Sequence, residues 1–371
     1  VSRRKIFCLA WIFSKFFTFK FISLIYTKII FNEFSVIESS NVEASRVVTP
    51  KEKDVDIALS KNILRPQKLS DYVWQDNIKK HLAVSMWSAK IRGNSLEHIL
   101  FYGPPGLWKT TLSSIIASEM WTQMKSTSGP AVDKQSDLVS ILSNLDEWDI
   151  LFIDEIHRLK PQVEEILYTA MEDFEIDIMV WSWTWAQSVK LSIKPFTLVW
   201  ATTRLSALSS PLRDRFWNVL KLDFYNVEDI WTIIWNNADI LELSLTEDTI
   251  HTVAKKSRWT PRIANRLLKI VRDYETIWKD VTSLESLKEI FHDIGIDDLW
   301  LDYLDRKYLE TIRSKFAWWP VWLNTLSSAI WEEDATLEDV VEPYLLQIGF
   351  LERTPRGRKI TKIAEDHINS L

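Results

Sequence analysis

Nine consecutive residues, Gly103-Pro104-Pro105-Gly106-Leu107-Trp108-Lys109-Thr110-Thr111, have the types and spacing needed to bind phosphate. A glycine-bearing loop that opens a helix turns backbone N–H groups toward an anion, and the positive end of the helix dipole adds to their pull. Lys109 is placed to reach the β and γ phosphates of a nucleotide, with Gly106 and Thr111 beside it and the Thr110 hydroxyl available to Mg²⁺. A second chemical stretch, Ile150-Leu151-Phe152-Ile153-Asp154-Glu155, begins 41 residues after Lys109. Its carboxylates are expected to act on the same ligand, Asp154 in the Mg²⁺ shell and Glu155 polarising the attacking water. An acidic pair after an apolar run can also be a plain loop boundary. The shared strand and helix plan favours chemistry.

That plan is what must position these groups. Ile99-Leu100-Phe101-Tyr102, Ile150 to Ile153 and Phe196 to Ala201 are short apolar runs, as expected of strands buried on both faces of a parallel sheet. Ligands of such sheets bind beyond the C-terminal strand ends. Helical patterns intervene: Ile78, Leu82, Ser85 and Met86 on one face, Leu112 to Met120 after the loop, and Val163, Ile166, Leu167 and Ala170 at i, i+3, i+4 and i+7. Thr127-Ser128-Gly129-Pro130 is predicted to be a turn. Residues 174–180 and 188–193 alternate as the strands of an exposed hairpin.

Further polar residues stand at the ends of these elements. Thr202-Thr203-Arg204 closes the run from Phe196, and Thr203, chosen narrowly over Thr202, is the expected γ-phosphate sensor. Arg213 and Arg215 flank Asp214 near a helix end; they suit either a solvated face or an arginine finger directed at a neighbouring subunit's nucleotide, with Arg215 as the finger. Arg262 follows Pro261 at the start of a helix, where a cation opposes the dipole, so a γ-phosphate contact is the better explanation of it. Residues 351–363 carry five basic side chains against Glu352, a local charge of +4, in a hairpin that follows helices and suits the wing of a DNA-binding winged helix.

Trp108 breaks the pattern, because glycine alone tolerates the required backbone angles without crowding a phosphate. The chain has 7 Gly and 20 Trp, and together they reach the share of about 7% that glycine alone usually has. Tryptophans also stand where turns need glycine: Trp74 before a helix, Trp181, Trp183 and Trp185 in the hairpin turn, Trp259 before Thr260-Pro261, and Trp318, Trp319 and Trp322 around Pro320. The expectation is that these are UGA codons read as glycine in the source. A genuinely tryptophan-rich chain is the alternative.

A length of 371 suits two or three domains, and 46% apolar with 26% charged residues is ordinary for a globular protein. The net charge of −6 leaves nucleic-acid binding to local patches. Cys8 is the only cysteine, which excludes an intrachain disulfide or a cysteine-based zinc site and fits a reducing cytosol, so a cytoplasmic location is expected. Residues 1–55 differ in character: Lys15, Lys20 and Lys28 interrupt the apolar stretch, so a wrongly chosen start or a poorly ordered extension is expected rather than a membrane anchor.

From about Leu64 to Lys359, with tryptophan read as glycine, the chain resembles the RuvB family, the AAA+ motors of Holliday-junction branch migration. The resemblance is carried by Arg65-Pro66, Gly103 to Thr111, Thr127 to Pro130, Asp154 to Leu159, Met171-Glu172-Asp173, Ala201 to Arg204, Ser210 to Phe216, Thr260 to Leu268 and Arg353 to Arg358. It implies an α/β AAA+ P-loop ATPase domain (56–222), a small helical lid (223–297) and a C-terminal winged helix (298–371), with 1–55 as an extension. ATP and Mg²⁺ are the implied cofactors. Leu64, Arg65 and Tyr225 are implied on the adenine side, with backbone help from Glu172, Asp173 and Phe174. Arg353 and Arg358 are the implied DNA contacts. The implied partners are duplex and four-way junction DNA, a homohexameric ring, a RuvA-like junction-binding protein docked on the hairpin, and a RuvC-like resolvase. A clamp-loader-like ATPase, and an inactive ring subunit if Trp108 is literal, are the rival readings.

Overall fold

The computed structural model describes residues 64–370, apart from 74, 182–185, 278–279, 298 and 318. Expectations for residues 1–55 and for Trp74, Trp183, Trp185 and Trp318 lie outside the described residues.

The first half is built on strands β1 (Ile99–Tyr102), β2 (Met124–Ser128), β3 (Ile150–Asp154), β4 (Glu175–Trp181), β5 (Ala186–Ser192), β6 (Thr197–Thr202) and β7 (Asn218–Lys221). Five of them form a sheet in the order β2-β3-β6-β1-β7, and every pairing in it is parallel. Successive residues of a strand point to opposite faces. Accordingly Ile99, Phe101, Ile150, Phe152, Val199 and Ala201 enter one core while Leu100, Leu151, Ile153 and Leu198 enter the other. Helices α1 (Asp76–Arg92) and α2 (Lys109–Met120) cover the first face; α3 (Gln135–Ser143) and α4 (Pro161–Glu172) cover the second. On α1 the structure buries Leu82, Met86 and Ala89 and leaves Ile78 and Ser85 half-buried, a small rotation of the expected face.

Two local expectations are corrected. Thr127 and Ser128 are not in a turn but extend β2, because Ser128 pairs with Asp154 in the parallel ladder; the turn starts at Gly129. A Cβ on Gly129 would stand 2.5 Å from the carbonyl oxygen of Glu155, so a side chain there would displace the acidic loop. The hairpin β4–β5 is antiparallel as expected, displaced by one or two residues at its ends. After it comes the short helix α5 (Ser210–Arg213).

Four helices follow: α6 (Val227–Ile240), α7 (Glu247–Lys256), α8 (Pro261–Thr276) and α9 (Leu284–Asp293). Asn226, Thr246 and Ser283 cap three of them by accepting the backbone N–H three residues on, and Pro261 opens the fourth. The last portion contains α10 (Tyr303–Phe316), α11 (Leu323–Ile330), a π-helical turn over Leu337–Val341, α12 (Glu342–Gln347), the hairpin β8 (Leu351–Thr354) and β9 (Gly357–Ile360), and α13 (Lys362–Ser370). It has its own core around Tyr308, Leu326, Leu345 and Phe350.

Arg258 joins the four-helix portion to the last one. Its buried guanidinium pairs with buried Asp305, lies 3.8 Å from Asp302, donates to the Trp300 carbonyl at 3.0 Å and stacks 4.3 Å above the Tyr344 ring. Removing one member of a buried pair strands the other charge, so Arg258→Met is expected to destabilise this joint by about 3–5 kcal/mol. A fall in the urea midpoint, partly restored when Asp305→Asn is added, is the result to look for; an unchanged midpoint refutes it.

The backbone bears directly on the tryptophans. Among the described residues Trp108, Trp121, Trp148, Trp259, Trp300 and Trp331 all have φ between 55° and 68°, the left-handed region that glycine prefers. Trp121 and Trp331 each end a helix there with side chains 87% and 91% exposed, the position at which glycine usually terminates a helix. Trp200, in the middle of β6, buries its indole N–H without a hydrogen-bond partner. At about 1 kcal/mol each, six such positions would cost about 6 kcal/mol, a large part of the 5–15 kcal/mol that holds a domain folded.

Candidate active site

The loop between β1 and α2 is shaped by glycine where the chain approaches itself: a Cβ on Gly103 would stand 2.1 Å from the Leu222 carbonyl oxygen. Lys109 is the first residue of α2, so its ammonium is carried back over the loop, donating to the Gly103 and Pro104 carbonyls at 2.8 Å each. Burial pushes its pKa down to about 8, against the opposing pull of Asp154. The Thr111 hydroxyl is buried without a hydrogen-bond partner.

Asp154 ends β3 and accepts the Glu155 N–H at 2.9 Å. Burial raises its pKa, and that N–H opposes the rise. Glu155 takes a left-handed conformation (φ 47°) and pairs with Arg158 at 3.4 Å. At the tip of β6 the two threonines part. The Thr202 hydroxyl is engaged by the Arg204 N–H at 3.0 Å and by His157 Nδ1 at 3.1 Å, whereas Thr203 faces the cleft. Lys109, Thr110, Asp154, Glu155, Thr203 and Arg262 thus meet around one cavity of about 280 Å³.

A second cavity, of about 260 Å³, is lined by Leu64, Arg65, Ile233 and Asn237. Asn237 donates to the Leu64 carbonyl at 3.2 Å and to Asn265 at 2.7 Å, tying this stretch to α6 and α8. Arg65 and Trp108 line both cavities. The indole is 8% exposed, with ring centroids 6.2 Å from Tyr72 and 6.3 Å from Tyr225. An extended nucleotide needs the two cavities as one cleft. The cation, the hydroxyls and the hard carboxylate oxygens fit phosphate and Mg²⁺, and the Thr111 hydroxyl left without a partner fits a ligand acceptor; the indole at position 108 does not fit.

Three family models divide the described chain. Residues 64–222 match the Holliday junction DNA helicase RuvB P-loop domain, 225–291 the RuvB AAA lid domain, and 298–369 the RuvB C-terminal winged helix domain. The chain belongs to the RuvB family. Solved structures agree. The Thermotoga maritima RuvB Holliday junction branch migration motor is 46% identical, with a TM-score of 0.76, covering 82% of this chain and 98% of that one. An alanine-to-serine mutant of the same protein is 47% identical at a TM-score of 0.77, with the same coverage. The fold of this RuvB-family chain is therefore α/β, with a P-loop domain, an AAA lid and a winged helix.

Not every expected residue reaches the cleft. Tyr225 is buried behind the indole and lines neither cavity. Glu172, Asp173 and Phe174 are also absent from both linings: Glu172 pairs with Arg215 at 3.2 Å, and Phe174 packs edge-on against Phe196. Arg215 lies outside its own chain's cleft, with its guanidinium 4.7 Å above the Tyr168 ring. In the wing, Arg353 and Arg358 both grip the buried Glu342 carboxylate, at 2.6 and 2.8 Å. A backbone bridge between Val321 and Arg358 holds the second of them in place.

Ser128 and Asn237 line the cleft without belonging to any chemical motif that marks them in the sequence. Ser128 lines the phosphate-side cavity because its strand lies beside β3 in register with Asp154, and Met124-Lys125-Ser126-Thr127-Ser128 has no apolar alternation to announce that strand. Asn237 gave no local signal, since its partners lie 28 and 173 residues away. Among the described residues no helix is long and apolar enough to cross a membrane.

Proposed function

We propose that this chain is the ATP-hydrolysing motor subunit that drives branch migration of Holliday junctions. The observation that carries the reading is the convergence of Lys109, Thr110, Asp154, Glu155, Thr203 and Arg262 on one cavity, within a chain whose winged helix carries a basic hairpin. ATP supplies the transferable phosphoryl group and Mg²⁺ the charge that offsets it. Lys109 neutralises phosphate charge, Thr110 and Asp154 would hold the metal, and Glu155 accepts a hydrogen bond from the attacking water and so polarises it. Thr203 and Arg262 report the γ-phosphate position. Leu64 and Arg65 hold the adenine side, with Tyr225 backing it.

Arg215, outside its own cleft and paired with Glu172, suits a finger presented to the next subunit of a homohexameric ring, and backbone help on the adenine side is assigned to Glu172, Asp173 and Phe174. The domains are read as 56–222, 223–297 and 298–371. The hairpin β4–β5, with Val189 and Leu191 exposed, is the proposed seat of a RuvA-like partner; a RuvC-like resolvase acts on the same junction, and the location is cytoplasmic. The indole at 108 is the observation that favours a second reading, an inactive ring subunit. Junction-stimulated ATPase activity and branch migration by the Trp108→Gly protein test the first reading, and absence of both refutes it.

Arg353 and Arg358 are the proposed DNA contacts. Arg353→Ala is expected to weaken duplex binding by about tenfold and to reduce the slope of log K against log salt by about one. A fluorescence anisotropy titration across salt concentrations checks both, and an unchanged affinity refutes the assignment.

A further inference from the structure

Thr203 and Arg204 are neighbours at the tip of β6, yet they serve different surfaces. Thr203 lines the phosphate-side cavity. Arg204 reaches the π-helical turn of the winged helix: its Nη2 donates to Glu338 and to Asp339 at 2.9 Å each, and its Nε donates to Asp339 at 3.2 Å. The other oxygen of Glu338 stands 3.9 Å from Arg353 and 3.8 Å from Arg358. Glu338 therefore spans from the strand tip to the two arginines of the wing. A π turn inside a helix often marks a functional position.

The charges around this carboxylate balance only while Arg204 is in place. Arg204, Arg353 and Arg358 face Glu338, Asp339 and Glu342, three cations against three anions. Glu342 is fully buried and holds both wing arginines together with the Tyr308 hydroxyl, so it stays with the wing. Glu338 is about one-third exposed and is shared. Without Arg204, two arginines would face three carboxylates, and Glu338 would be free to turn wholly onto Arg353 and Arg358, where it competes with a DNA phosphate.

We propose that Arg204 sets the DNA affinity of the wing by holding Glu338 away from Arg353 and Arg358, so that the strand ending in Thr203 and the DNA contacts are coupled through one carboxylate. Arg204 is here a positioning residue, not a DNA contact. The coupling runs both ways, as any linkage between sites must: a change at the strand tip alters DNA binding, and DNA on the wing releases Glu338 to Arg204. The proposal rests on the reading of Arg353 and Arg358 as DNA contacts.

The test is duplex binding by the full chain without nucleotide, followed by anisotropy of a labelled duplex at physiological salt, which screens distant exposed charges. Half-exposed pairs of this kind carry modest energies, so Arg204→Ala is expected to weaken binding about threefold and Glu338→Gln to tighten it about threefold. The double variant is expected to bind like Glu338→Gln alone, because the Arg204 effect has no carboxylate left to act through. A loss that persists in the Glu338→Gln background, or a Glu338→Gln protein that binds as the parent does, overturns the coupling. Arg353→Ala separates the two readings: if it leaves affinity unchanged, the wing assignment itself has failed; if it weakens binding while Glu338→Gln changes nothing, only the coupling has.

Discussion

Trp108→Gly is expected to raise ATP turnover by at least about 100-fold over the chain with tryptophan, since displacing a reacting group by even 1 Å can cost that much. The indole is packed between Tyr72 and Tyr225 and lines both halves of the cleft, so it lies where an extended nucleotide must pass. Its backbone is held at φ 58°, ψ 31°, which glycine adopts without strain. A steady-state ATPase assay on the two proteins decides it; equal turnover would sink the argument. The same logic extends to Trp121, Trp148, Trp259, Trp300 and Trp331, which share that backbone region. Mass spectrometry of the native polypeptide is expected to find glycine at these sites, and UGG codons in the gene would contradict that.

In the Trp108→Gly background, Glu155→Gln is expected to lower kcat by about 10²–10⁴-fold while leaving ATP binding nearly unchanged, because the amide keeps the shape but cannot take up a proton. Lys109→Ala is expected to abolish turnover and weaken nucleotide binding together. Its ammonium is buried and donates to loop carbonyls near Asp154, so it is the cation set to meet incoming phosphate charge. Turnover assays with a fluorescent-nucleotide titration separate the two outcomes. Glu155→Gln with full kcat, or Lys109→Ala with unchanged turnover, refutes the corresponding role.

The site was legible in the sequence wherever its chemistry sits on contiguous residues. Gly103 to Thr111 and Ile150 to Glu155 each contain both the group and the strand end or helix start that aims it. The basic hairpin was legible too, since Arg353 to Arg358 needs only its two strands and the two-residue loop between them. Ser128 was missed because a turn and a strand end look alike until the neighbouring strand supplies the pairing. Glu172 to Phe174 were expected near adenine; in this chain Glu172 pairs with Arg215 and Phe174 packs on Phe196, partners that lie 43 and 22 residues away.

Local order along the chain determined the phosphate loop, the acidic strand end, the parallel α/β plan and two of the places, Trp108 and Trp259, where tryptophan stands in a glycine's conformation; Trp181 lies instead in β4 and Trp322 is extended at φ −71°. The features so determined depend on dihedral preference and side-chain period, which neighbouring residues set among themselves. Only the tertiary structure decided that Trp108 lies against Tyr72 and Tyr225, that Arg258 is locked to Asp305, and that Arg204 reaches Glu338 across 134 residues. Charge pairs and ring contacts of that kind are chosen by how distant segments cross once their apolar faces are buried, and no stretch of sequence contains both partners.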